Sequence, residues 1–299
     1  VRDCRILFAV ESGSRAWGFA SQDSDYDVRV VYVKSLKSYL HIDDATKDTW
    51  EAMLPNDLDI SAWDIRKALC QLLKSNASFI EWVQSPMIYQ GEVFLNKLKP
   101  FVERVFNPLH VSYHYASMFR HAIGSMGVDG CISIKKLCYA LRASCAVRWI
   151  IANETMPPTE FAKILKGIDI SSSESSAIKE LLFLKAEANE GTTICPSVAF
   201  SLLLQDKYDE LQSYSWSKKP EDKDLVRNDL NELVKENNIN DIDVIGMFFP
   251  NMDAVSYRGV KDVDVSVVPT YFGGKGHKGA GTNPINNERF KEVLKIVKF

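Results

Sequence analysis

Residues 6–33 limit what this chain can fold into more than any other stretch. An apolar run, Ile6–Val10, leads to the turn Gly13-Ser14 and a short helical piece containing Arg15 and Trp17. The acidic segment Asp23-Ser24-Asp25-Tyr26-Asp27 then enters a second β-branched run ending at Val33. Both runs read as strands. Residues two apart on a strand point to the same face, so Asp25 and Asp27 present their carboxylates together, about 6 to 7 Å apart. Paired carboxylates at that spacing suit two hard divalent cations, magnesium or manganese. Gly13 lets the backbone come close to a ligand, the exposed N–H groups of such a turn attract anions, and the Ser14 hydroxyl can donate to a β- or γ-phosphate. Arg15 can add a fork of donors.

An anion-cradling turn beside a cation-holding pair fits the handling of a nucleoside triphosphate. Phosphoryl-type transfer needs its substrate held in line and its charge neutralised more than it needs covalent help. A third carboxylate is expected, to complete the metal site and to act as, or orient, the general base. Asp59, in the strand-like LDI of LPNDLDISAWDI, is the choice, with Asp57 and Asp64 as alternatives. The competing reading is plain turn chemistry, since Gly, Ser and Asp dominate turns for backbone reasons alone. Turn chemistry does not require an Asp-x-Asp feeding straight into a strand behind a Gly-Ser turn.

The run GSRAWGFASQDSDYDVRVVYV resembles the Gly-Ser plus Asp-x-Asp signature of the DNA polymerase β superfamily. The closer likeness is to the RNA-ligase-associated predicted nucleotidyltransferases (RlaP-like), through GSRAWG followed by SDYDVR. It continues more weakly through LDISAWDIRKAL, FIEWVQSPMIY and KKLCYALRASCAVRW, covering residues 6 to 205. The resemblance implies a catalytic palm followed by a helical domain, with Gly13, Ser14, Asp25, Asp27 and Asp59 at the matching positions.

The fold class expected is α+β: a polymerase β-like nucleotidyltransferase palm (mixed sheet with helices) over residues 1–105, an all-α middle domain over 106–214, and a small α/β C-terminal domain over 224–299. Strands are expected at RILFAVES, YDVRVVYV and LDISA, and a helix at WDIRKALCQLLK. Further helices are expected at 109–125, 132–152, 158–166, 175–189 and 196–204. The charged stretch SWSKKPEDKD has too little apolar surface to join a core and reads as a linker over 215–223. After it come a helix (DLVRNDLNELVKEN), strands (DIDVIGMFF, DAVSYR, VDVSVVP), a glycine-rich loop and a final helix (NNERFKEVLKIV).

In the middle helix Lys135, Tyr139 and Arg142 fall on one face. Lys135 and Arg142 can supply cations to the triphosphate, Tyr139 is expected in the core, and Lys136 points away; a solvated polar stripe is the alternative. His110, His114 and His121 share a narrow helical face and read as structural residues in preference to zinc ligands. Glu81 reads as a structural tie between helix and palm.

The tail SYRGVKDVDVSVVPTYFGGKGHKGAG resembles the small C-terminal substrate-binding domain of the DHH phosphoesterases, over residues 224–299. Carried onto matching positions, Arg258 and His277 would contact a substrate phosphate, and Gly273, Gly274 and Gly276 would give close backbone approach. Lys275 stands where that loop has a glycine, and no DHH motif occurs in the chain. A lysine-rich surface loop is the alternative.

A net charge of −3 excludes a protein that grips duplex nucleic acid by bulk charge, so any RNA contact must be a local patch. The longest apolar stretches fall short of the roughly 18 to 20 residues of a membrane span. The chain opens at Val1 without an initiator methionine or a signal-like run, so either it is processed or residues precede it, and secretion is not expected. Cys131, Cys138 and Cys145 recur every seven residues and read as small buried hydrophobes on one helix side, in a reducing cytoplasm. The expected activity is transfer of a nucleoside monophosphate from a triphosphate to a hydroxyl at an RNA or oligonucleotide end. The alternatives are adenylylation of a protein or small-molecule hydroxyl, and a non-catalytic nucleotide-binding module.

Overall fold

The computed structural model describes residues 4–21, 24–34, 39, 48–54, 58–189, 191–196, 211 and 213–237, and the C-terminal strands 244–249, 254–259, 275–277 and 280–284. Two compact units emerge, one formed by Ile6–Val33 with Asp48–Leu230 and the other by Val1–Arg5, Lys34–Lys47 and Asn231–Phe299.

The larger unit is built on a mixed five-stranded sheet. Its strands are β1 (Cys4–Glu11), β2 (Tyr26–Lys34), β3 (Thr49–Leu54), β4 (Leu58–Asp64) and β5 (Ile88–Gln90), in the spatial order β3-β4-β2-β1-β5. The three strands expected from sequence are there. The edge strands β3 and β5 were not foreseen, because their large apolar residues Trp50, Met53, Leu54 and Tyr89 are exposed and follow no alternating buried pattern. Strand β2 runs parallel to β4, which sets Asp27 opposite Asp59 and Arg29 opposite Ser61. A five-residue helix, α1 (Gly13–Trp17), links β1 towards β2.

Helices then accumulate: α2 (Ile65–Leu73), α3 (Ala77–Val83), α4 (Glu92–Val105), α5 (Pro108–Ile123), α6 (Ile134–Asn153), α7 (Phe161–Lys166) and α8 (Ser172–Glu187). Their starts are chemically marked. Asp64, Asn76, Asn107 and Ser133 each accept a backbone N–H from the first turn of α2, α3, α5 and α6, and Ser171 with Glu174 forms a capping box on α8. Pro108 opens α5, where its missing N–H costs no hydrogen bond. A two-residue strand pair, β6 (Ile132–Ser133) with β7 (Thr193–Ile194), sits within this helical segment.

Cys138 and Cys145 are buried on α6, as the sevenfold spacing implies. Cys131 departs from the pattern because α6 begins three residues later, and it is disulfide-bonded to Cys195 across the β6–β7 pair. The expectation of reduced, buried thiols therefore does not extend to these two.

The polar stretch before α9 (Lys223–Glu236) is held to the larger unit. The Glu154 carboxylate accepts from the Ser217 and Lys218 amides, and Arg104 pairs with Glu221 at 2.9 Å and Asp229 at 2.6 Å. Val226 and Leu230 of α9 are buried.

In the smaller unit, strands β8 (Val244–Phe249), β9 (Ala254–Gly259), β10 (Lys275–His277) and β11 (Ala280–Pro284) form an antiparallel sheet in the order β10-β11-β9-β8. The expected glycine-rich loop is thus in part a hairpin, β10–β11. The helix expected to reach residue 204, the strand VDVSVVP and the final helix lie outside the described residues.

The core of the larger unit holds Phe8, Val10, Val31, Phe79, Ile80, Leu95, Leu98 and Phe106, with Trp63, Phe79 and Trp82 ring against ring. Within it lies a buried polar junction. Glu81 of α3 accepts from Trp17 Nε1 of α1 at 3.1 Å, Tyr115 Oη of α5 at 2.5 Å and Arg142 Nη1 of α6 at 2.8 Å. Arg142, 1% exposed, also donates to the Thr159 carbonyl and lies over the Trp17 ring, 4.4 Å from its centroid. Sequence placed Arg142 on the nucleotide. The structure corrects this, because its guanidinium is committed to a buried carboxylate and enclosed by aromatic rings. Glu81 has the structural role expected of it.

Removing one partner of a buried pair leaves an uncompensated charge, so Arg142→Met should lower unfolding free energy by about 3–5 kcal/mol. Urea denaturation followed by tryptophan fluorescence, for which Trp17 is an internal reporter, measures this directly. A loss below about 1 kcal/mol would mean the pair is solvated, as surface pairs are.

Candidate active site

The Gly13-Ser14 turn and the acidic end of β2 meet because β1 and β2 are neighbours and α1 is only five residues long. Gly13 has φ +60°, and a Cβ there would stand 2.0 Å from Asp27 Oδ2. Glycine is therefore required twice, for the backbone conformation and for the room that lets the Asp27 carboxylate lie against the turn.

Two further groups fix Asp27. The fully buried Glu11 accepts the Asp27 backbone N–H through Oε1 at 2.7 Å, and through Oε2 accepts the Tyr89 hydroxyl. Arg29 Nη2 bridges Asp27 Oδ1 at 2.7 Å and Asp59 Oδ2 at 3.0 Å. Burial pushes the Asp27 carboxyl above its ordinary range, Arg29 draws it back, and Asp59, Glu11 and Asp25 push it up again. Tyr89 is pushed up to about 12 by burial and by its bond to Glu11, so it stays a phenol that donates.

A pocket partly open to solvent lies beside these residues. Ser14, Ser21, Ser24, Asp25 and Asp27 form one wall. Ser133, Ile134, Lys135 and Tyr139 of α6 and its cap, with Lys185, Asn189, Gly191 and Thr192, form the rest. Lys135 Nζ stands 3.8 Å from Asp25. Tyr139, expected in the core, lines the pocket on the face it shares with Lys135; burial, with Asp27 and Asp25 nearby, pushes its phenol up to about 12.

Of the residues singled out by sequence, Gly13, Ser14, Asp25, Asp27 and Lys135 are brought to this pocket and its rim, and Asp59 lies beside Asp27 in register. Arg15 does not line the pocket; its guanidinium stacks on Tyr26, 3.9 Å from the ring centroid. Asp64 is fully buried as the cap of α2, and Asp57 lies outside the described residues. His110 and His121 are exposed, and burial pulls the half-buried His114 below the ordinary imidazole range. In the smaller unit, the register sets Arg258 level with Ala280 and Ala280 level with His277, with Gly276 beside it on β10; Gly273 and Gly274 lie outside the described residues.

Sequence reasoning overlooked Glu11, Arg29, Ser21 and Lys185. A charged residue closing an apolar strand marked Glu11, and the period-two continuation Asp25, Asp27, Arg29 marked the third. Nothing local marks Lys185.

The donor set fits a hard divalent cation in its chemistry, being carboxylate oxygen on one side and a pocket on the other. Among the described residues no three His, Cys, Asp or Glu side chains converge as a finished cage. The positive charge between Asp27 and Asp59 belongs to Arg29, which a cation shared by that pair would have to displace.

A profile of the RlaP family, described as the RNA repair pathway DNA polymerase beta family, matches residues 1–236. A Bacillus subtilis (strain 168) relative, the uncharacterized protein YcgL, is 33% identical over 231 residues, 77% of this chain and 88% of the relative. The crystal structure of a nucleotidyltransferase-like protein from Exiguobacterium sibiricum 255-15 aligns over 95% of this chain and 94% of that one, at 13% identity and a TM-score of 0.29, a likeness too distant to bear on fold or site.

Arg29 offsets the carboxylates around Asp27, so Arg29→Met should raise the Asp27 pKa further, as carboxyl-carbon NMR titration would register. An acid whose folded pKa is raised makes the folded state bind more protons. Stability therefore falls as pH rises from the ordinary carboxylate range through the raised value. The variant should lose about 1–3 kcal/mol relative to the parent at neutral pH, and the gap should narrow as pH falls below that window. A gap independent of pH would contradict this account of Arg29.

Proposed function

Because the chain belongs to the RlaP family of RNA repair pathway DNA polymerase beta proteins, we propose that it is a metal-dependent nucleotidyltransferase, moving a nucleoside monophosphate from a triphosphate to a hydroxyl at an RNA or oligonucleotide end. The observation that carries this reading is the register of β2 and β4. It sets Asp27 beside Asp59, with Asp25 at the pocket and the Gly13-Ser14 turn packed against the Asp27 carboxylate. The description of the family as an RNA repair pathway supports the choice of acceptor.

In this reading Asp25, Asp27 and Asp59 hold magnesium or manganese. Bound there, the metal neutralises triphosphate charge and lowers the barrier to displacement at the α-phosphorus. The chain supplies the rest. Gly13 and Ser14 cradle the phosphate tail, and Lys135 adds positive charge beside Asp25. Glu11 fixes the backbone of Asp27, so its carboxylate does not wander during turnover. Asp59 takes the proton of the attacking hydroxyl. The new bond forms between that oxygen and the α-phosphorus, the α–β bridging bond breaks, and pyrophosphate leaves.

We assign the palm to residues 1–105 and the helical domain to 106–214. The C-terminal sheet is assigned to substrate phosphate, through Arg258 and His277 with the backbone at Gly273, Gly274 and Gly276.

The test is incubation with each labelled nucleoside triphosphate, magnesium or manganese, and short RNAs including tRNA. Label should enter RNA, and Asp25→Ala with Asp27→Ala should reduce it at least about 100-fold, the scale expected when transition-state charge is left unneutralised. Label in protein would move the acceptor to a protein hydroxyl. Stabilisation by triphosphate without its consumption would mark a binding module.

A further inference from the structure

Lys185 is the unexplained charge of this pocket. It sits on α8, is 7% exposed, lines the pocket wall, and donates from Nζ to the Ser21 hydroxyl. Ser21 is equally buried and is tied to Ser24, whose Oγ accepts the Ser21 backbone N–H at 2.9 Å. Among the described residues Lys185 has no carboxylate partner. Lys135, by contrast, is drawn to Asp25. An ammonium has three donors, and among the described residues one is used, by the Ser21 hydroxyl, in a side chain that lines the pocket. Buried cations ordinarily lie against an anion, because the desolvation cost is not otherwise offset. On the same wall Ser133 caps the 20-residue helix α6, whose N-terminal end adds partial positive charge.

We propose that Lys185, held by Ser21, binds the terminal phosphates of the nucleotide and makes the pocket selective for triphosphate over monophosphate. The inference rests on the nucleotidyltransferase reading and extends it. The α-phosphate belongs at Asp25 and Asp27, where reaction occurs, and the polyphosphate tail then takes the cationic part of the same pocket. A monophosphate has nothing to place there. Lys185 is thus a specificity residue that also holds the departing pyrophosphate.

The experiment is titration calorimetry of the full chain with ATP, AMP and inorganic tripolyphosphate in magnesium, for wild type and Lys185→Met, with melting of the unliganded proteins followed in parallel. Tripolyphosphate makes the test independent of base preference. Lys185→Met should weaken tripolyphosphate and ATP by about 30-fold or more, leave AMP within about twofold, and melt no lower than wild type. Equal weakening of all three ligands with a lowered melting temperature means Lys185 is structural and overturns the proposal. Unchanged binding of all three by the variant overturns it alone, while a wild type that binds neither ATP nor tripolyphosphate removes the nucleotidyltransferase reading with it.

Discussion

Glu81 is the point on which the larger unit depends. One buried carboxylate, from a seven-residue helix, receives donors from the helix that opens with the Gly-Ser turn and from α5 and α6 of the middle segment. A carboxylate in that position is costly to desolvate and is tolerated because its lone pairs are filled and a guanidinium faces it. The result is a fixed relation between α1, which follows β1, and α5 and α6. Two of these elements reach the pocket, α1 through Ser14 and α6 through Ile134, Lys135 and Tyr139, and Tyr139 packs edge-on against Trp17 of the junction.

The second constraint is crowding of like charge around Asp27. Four carboxylates influence one another there, with Arg29 as the cation among them. Such a concentration of negative charge has no benefit for folding alone, and sites of this kind mark function more often than structure. Gly13 allows the crowding at close range, since any side chain would occupy the place of Asp27 Oδ2.

Much of this was legible in the sequence, for specific reasons. The strands β1, β2 and β4 carry clear β-branched runs, and Asp25, Asp27 and Asp59 follow from period-two geometry and resemblance. Edge strands β3 and β5 escaped notice because exposed edges carry no alternating apolar code. Arg142 was assigned to the nucleotide because helical spacing gives a face but not what that face meets; only the packed structure shows Glu81 waiting there. Cys131 was assigned to a helix side because the sevenfold spacing continued past the true start of α6. Lys185 escaped altogether, since one lysine in a charged helix acquires meaning only from a serine 164 residues away.

That separation shapes how the site comes into being during synthesis. The wall formed by Ser14, Ser21, Asp25 and Asp27 leaves the ribosome first, and Ser133 to Tyr139 come much later. The stretch from Lys185 to Thr192 closes the pocket last. The acidic pair is therefore synthesised long before the lysines that face it across the pocket, and Arg29, two residues beyond Asp27, is the counterion encoded beside it.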